Sequence, residues 1–271
     1  MGIARLVDQA SRSRMETCTI IGVDCATDPK NVGLARGVWG EGKLQITDVT
    51  NGQFHEPEET VDKWIAHAEK CLLALDAPLG WPQDFGHTLK DHEAGMPLQN
   101  EANQFFRRET DRFVQRTIGK VPLDVGADRI ARTALSALQF LGALSEKIGV
   151  TIPLAWDIDF TGIAAIEVYP AGTLKASQVQ SSAYKRPDQL EAREQILTWL
   201  ASEAKLTKDL SLALEDADAL DAMLCVLAGV DFLAGKAYPP IDLVLAKKEG
   251  WIWIRKPNGS PVFCARLKSK R

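Results

Sequence analysis

The chain is poor in the features that mark secreted, membrane-spanning or zinc-binding proteins. Its five cysteines (Cys18, Cys25, Cys71, Cys225 and Cys264) contain no CxxC pair and are odd in number. That argues against a zinc site and a disulfide framework, and a reducing cytoplasmic setting with no disulfide-linked partner fits best. No apolar run reaches the roughly 18 residues that a membrane helix requires. The first fourteen residues carry Arg5, Arg12 and Arg14 but no apolar stretch of the kind a secretory signal needs. Met15 stands just before the first apolar segment, so residues 1–14 read as an extension outside the fold. Positive charge is not in excess: 32 Lys and Arg face 36 Asp and Glu, a net charge of −4. The chain therefore has no overall basic field to coat nucleic acid. It also lacks a glycine-rich phosphate loop, internal repeats and low-complexity tracts.

What is present is a set of short apolar runs that end in acids. Cys18–Asp24 (CTIIGVD) is β-branched and apolar and reads as a buried strand. Residues 33–39 and 43–49 flank Gly40-Glu41-Gly42, which supplies the turn of a hairpin. Pro57-Glu58-Glu59 opens a helix with Val61, Ile65 and Ala68 on one face. Residues 71–76 (CLLALD) form a second wholly apolar run ending in an acid, as expected of a central parallel strand. Residues 77–126 break the pattern with Pro78, Pro82, His87, His92, Pro97 and Pro122, and read as an insertion of the lid or binding type. Only 100–117 within it is a candidate helix. A long helix is expected over 127–148, a third buried strand over 163–169, and helices near 188–203 and 215–234. The end of the chain reads as a hairpin, with 251–254 and 262–267 joined through Pro257-Asn258-Gly259.

The order β-β-β-α-β-insertion-α-β-α-α is that of an α/β RNase H-like fold. It has an antiparallel three-strand meander, then parallel strands with flanking helices, in one domain over 15–271.

Asp24 and Asp76 each end a buried strand, and carboxylates at the edge of a core are costly unless paired or ligated. At the C-terminal ends of neighbouring parallel strands they would share the crevice where α/β sheets bind ligands. In the helix near 215–234, Asp218 and Asp221 are three residues apart and share a face beside the apolar stripe of Leu220, Leu224 and Leu227. Glu167 lies within an apolar strand, as a further ligand or as the partner of an arginine. Asp216 and Asp218 also suit the first turn of a helix, where the dipole favours acids. Carboxylates from several elements suit hard Mg2+ or Mn2+, and two such ions about 3.5–4 Å apart support phosphoryl transfer. With only four histidines in the chain, oxygen ligands are the natural donors.

The sequence is similar to the domain-of-unknown-function family 429, described as predicted RNase H-like nucleases. The resemblance rests on GVDCA at 22–26, LALDAPLGWP at 73–82, RETD at 108–111, PLDVGADR at 122–129, EVYPA at 167–171, DALDAMLC at 218–225 and EGWIWI at 249–254. The helical acidic segment also resembles the last acidic motif of RuvC-type resolvases. The resemblance implies a metal centre in which Asp24 bridges, Asp76 joins from the fourth strand, and Asp221 with Asp218 closes the site. Arg108, Thr110, Asp111 and Arg129 are then assigned to substrate phosphate or to ordering the insertion, with a structural salt-bridge network as the alternative. The activity expected is metal-dependent hydrolysis of a nucleic acid, engaged through Lys247, Lys248, Arg255, Lys256 and the basic end of the chain. An actin-like nucleotide phosphotransferase is a competing reading, although no second copy of the first motif follows residue 150. A non-catalytic binding module on the same scaffold is another.

Overall fold

The computed structural model describes residues 17–126, 128–207 and 211–257. Strands β1 (Cys18–Asp24), β2 (Gly33–Gly40) and β3 (Lys43–Asn51) form the antiparallel meander. The β2–β3 hairpin closes at the pair Gly40–Lys43, leaving Glu41 and Gly42 as a two-residue loop with φ of 53° and 72°. Positive φ at both positions is what a tight turn needs to match strand twist, and glycine makes the second one cheap. Helix α1 (Pro57–Ile65) leads into β4 (Lys70–Asp76), which pairs parallel with β1 so that Asp24 stands directly opposite Asp76. Three short helices then follow: α2 (Gln83–Leu89), α3 (Ala102–Phe106) and α4 (Glu109–Ile118). The long α5 (Asp128–Ile148) precedes β5 (Gly162–Glu167), α6 (Pro170–Ala176), α7 (Leu190–Glu203), a two-residue β6 (Lys205–Leu206) and α8 (Ser211–Glu215). Helices α9 (Ala217–Leu233) and α10 (Leu243–Glu249) complete the described elements.

The sheet order is β5-β4-β1-β2-β3-β6, with β4 and β5 parallel to β1. This six-stranded mixed α/β sheet with flanking helices is consistent with an RNase H-like fold. Strand periodicity divides the core into two layers. Ile20, Leu72, Ala74 and Ile166 pack with α6, α7 and α9 on one face. Ile21, Val23, Leu73 and Leu75 pack with Val61 and Ile65 of α1 and Phe140 and Leu144 of α5 on the other. Helix α9 is buried from Ala219 to Phe232 on all sides, as a helix apolar all round must be. Each of its large apolar residues contributes roughly 1.5–3 kcal/mol on leaving water. Among the described residues, no helix is long and apolar enough to cross a membrane.

Several sequence expectations need correction. The helix expected over 100–117 is two helices, because Arg107 and Arg108 adopt extended backbone between them. Residues 168 and 169 lie beyond β5, and Pro170 starts α6 at its first position instead of merely ending a strand. Residues 251–254 do not form the first arm of a hairpin. Ile252 instead bridges in parallel to Glu167, and Arg255 bridges to Ala237. The expected return arm, 262–267, lies outside the described residues, as does the extension 1–14.

Candidate metal centre

Backbone geometry places three acids together. Residues 20, 22 and 24 of β1 share the face covered by α9, as do 72, 74 and 76 of β4. Gly22 and Gly33 then allow the helix to lie directly on the strands. A Cβ at Gly22 would stand 2.0 Å from the carbonyl oxygen of Ala222, and one at Gly33 would stand 2.0 Å from that of Asp218. Both contacts are with backbone and have no room to relax, so any side chain there pushes α9 outward. Asp216 starts the helix, accepting from the amides of Asp218 and Ala219 and from Asn51 Nδ2 at 2.5 Å. That cap fixes where the next turn delivers Asp221.

The outcome is a set of ligand oxygens from Asp24, Asp76 and Asp221 that all lie within 4.8 Å of one another. Asp221 is fully buried, Asp24 nearly so, and Asp76 partly. Burial raises the Asp24 carboxyl well above its ordinary range, and neighbouring Asp221, Asp76 and Asp218 push it further against the opposing pull of Lys185. Burial likewise raises Asp76 from 3.8 to about 7. Such a cluster is unfavourable without cations, and carboxylate oxygens from three separate elements are hard donors of the kind that hold a divalent metal ion. The donor set therefore fits a divalent ion. Asp218 stands one turn before Asp221 and adds to the repulsion at Asp24, but lies outside the group of mutually close oxygens.

The cleft in front of these acids has a volume of about 270 Å³ and is lined by Asp24, Asp76, Tyr169 and Lys185 among others. Burial pushes the Tyr169 hydroxyl up to about 12.

Glu167 is placed differently from the metal ligand that its strand position suggested. Its Oε1 and Oε2 accept from Arg108 Nη2 and Nη1 at 2.7 and 2.8 Å, and Oε2 also accepts from the Leu79 amide. The arginine partner is the arrangement that holds. Arg108 also grips Asp111 through Nε and Nη2, at 3.1 and 2.8 Å, and donates to the Glu249 carbonyl. With Arg108 and Asp111 each 1% exposed, these groups are consumed within the chain and do not suit contact with a substrate phosphate. Thr110 Oγ1 accepts from the Ile252 amide. Glu249 receives the amides of Gln83 and Glu109. The RETD segment thus ties the insertion to β5 and to the segment after α10. Arg129 alone of the four assigned residues stays exposed, in the first turn of α5, whose Ile130 and Thr133 line the cleft. Arg255, expected to meet nucleic acid, is instead bound to Asp231 and Glu203.

Two further residues stand at the acids, with no signal in the sequence to mark them. Tyr184 Oη donates to Asp221 Oδ1 at 2.7 Å. The Lys185 ammonium contacts Asp221 Oδ2 and stands 3.9 Å from Asp24 Oδ2. Burial works against its charge, but Asp221, Asp24 and Asp76 together hold it charged well above its ordinary range. In SSAYKRPDQ nothing sets this pair apart from solvent-facing loop residues.

In a comparison with known families, the model of the family described as "Protein of unknown function (DUF429)" matches residues 22–244. No curated protein matches the chain.

Proposed function

The chain belongs to the family of unknown function DUF429, and for this member we propose metal-dependent hydrolysis of phosphodiesters in nucleic acid. The observation that carries this reading is the convergence of Asp24, Asp76 and Asp221 within 4.8 Å at the C-terminal ends of β1 and β4 and on α9. Asp24, Asp76 and Asp221 would hold Mg2+ or Mn2+ there. Such an ion supplies Lewis acidity toward a phosphoryl oxygen and makes a water more acidic. The chain's own residues do the positioning. Tyr184 fixes one oxygen of Asp221, and the other meets the Lys185 ammonium. The Arg108 network holds β5 and the insertion as a wall of the cleft, and exposed Arg129, next to Ile130 of the cleft lining, would offer a bidentate group to a phosphate.

The test is cleavage of single-stranded, hybrid and branched nucleic acids with Mg2+ or Mn2+, comparing the native chain with Asp24→Asn. We expect ion-dependent cleavage that falls by more than the 10- to 100-fold typical of residues one shell further out. Full activity in the variant, or none on any substrate with either ion, would sink the proposal.

A further inference from the structure

The acids expected from the sequence suit a two-ion centre, but the structure already holds a cation among them. Lys185 lies on the loop between α6 and α7, half-exposed, with its ammonium against fully buried Asp221 and within 4 Å of Asp24. Among the described residues, Asp221 Oδ2 has no hydrogen-bond partner and is met only by this ion pair. A surface lysine that reaches an acid by accident rests on a loop free to move. This loop is built otherwise.

Tyr184, just before the lysine, is buried and anchored through its hydroxyl to the same carboxylate. Ala183 before it takes a φ of 66°, a left-handed conformation that a residue with a Cβ holds only when its surroundings impose it. From α7, the guanidinium of Arg193, 2% exposed, donates to the carbonyls of Tyr184 at 2.6 Å, Arg186 at 2.8 Å and Pro187 at 3.4 Å. Its Nε donates to the Leu214 carbonyl beside α9. A buried arginine is thus spent on fixing the backbone on both sides of residue 185. The loop is clamped to deliver its side chain to one place.

Charge balance points the same way. The three converging carboxylates are neutralised by one divalent ion and one ammonium, with Asp218 as a further negative neighbour. Resting on the reading of these acids as a metal centre, we propose that Lys185 is a resident cation of the site. It fills one of two cation positions, so that the native centre takes one divalent ion.

The test is calorimetric titration of the full chain with Mn2+, together with paramagnetic resonance of the loaded protein, for the native chain, Lys185→Met and Lys185→Arg. We expect one Mn2+ per native chain with the spectrum of an isolated ion. We expect a second equivalent in Lys185→Met, with the spin coupling of two ions a few ångströms apart. Lys185→Arg keeps the charge and should keep one equivalent, and circular dichroism checks that each variant is folded. Two equivalents in the native chain overturn the inference and leave the proposed activity standing. So does a single unchanged site in Lys185→Met. A single site tightened about tenfold there means that lysine and metal compete for one position, which also overturns it. Failure of the native chain to bind any Mn2+ removes the metal centre itself, and the proposed function with it.

Discussion

Two buried charged clusters stand side by side at one end of the sheet, and they are built on opposite plans. Around Arg108, one guanidinium is shared by Glu167 and Asp111, and main-chain amides and carbonyls complete the set. Every charge has partners in fixed geometry. Around Asp24, three carboxylates converge on little more than one half-exposed lysine and one tyrosine hydroxyl. The first cluster is satisfied and closes four distant segments into one frame. The second is under-neutralised and opens onto a cleft. A polar network that is complete rigidifies, whereas one left incomplete stores unfavourable energy that a ligand can relieve.

The largest expected effect tests the satisfied cluster. Arg108→Met leaves Glu167 and Asp111 buried and facing one another, and losing one partner of a buried pair typically costs about 3–5 kcal/mol. Denaturant unfolding should show that loss, and adding Glu167→Gln to the variant should recover part of it by removing one orphaned charge. A cost under about 1 kcal/mol would mean that the frame does not depend on this arginine. The opposite sign is expected at the other cluster. Asp24→Asn removes one charge from a repulsive group while keeping the shape, so the metal-free protein at pH 8 should gain on the order of 1 kcal/mol. Destabilisation of the metal-free protein by this change would show that the acids are not in conflict.

The same contrast explains what could be read in the sequence. Asp24 and Asp76 were visible because each ends an unbroken apolar run, and strand alternation makes a terminal acid conspicuous. Asp221 was visible because it interrupts an apolar helix. These are local signals carried by neighbours in the chain. The Arg108–Glu167 pair joins residues far apart in sequence, so Glu167 read equally well as a ligand or as a salt-bridge partner. The break of the 100–117 helix at Arg107 and Arg108 has the same origin, since tertiary partners for Arg108 outweigh the local helical pattern there. Lys185 was invisible for a further reason. Its placement depends on the Arg193 clamp and on the conformation of Ala183, and neither leaves a periodic mark.

The smallest effect is also the most specific to the acidic cluster. Asp76 is raised from 3.8 to about 7 by burial first, then by Asp221 and Glu167. The folded protein therefore holds a proton on Asp76 in a range where the unfolded chain has released it. Below about pH 4 both states are protonated and the group is neutral in its effect. Between that point and about 7 the folded state binds more proton, so stability falls as pH rises, and above about 7 the penalty is fully present. The raised Asp24 acts in the same direction. A divalent ion needs the ionised carboxylates, so its stabilisation should grow across the same window. Thermal unfolding from pH 5 to 8 should thus show a midpoint that declines by a few degrees without metal and is restored by Mn2+ chiefly at the alkaline end. Asp76→Asn should flatten the metal-free profile. An ion-induced shift that is the same at pH 5 and pH 8 would separate metal binding from these carboxylates, and with it the distinction between the two clusters.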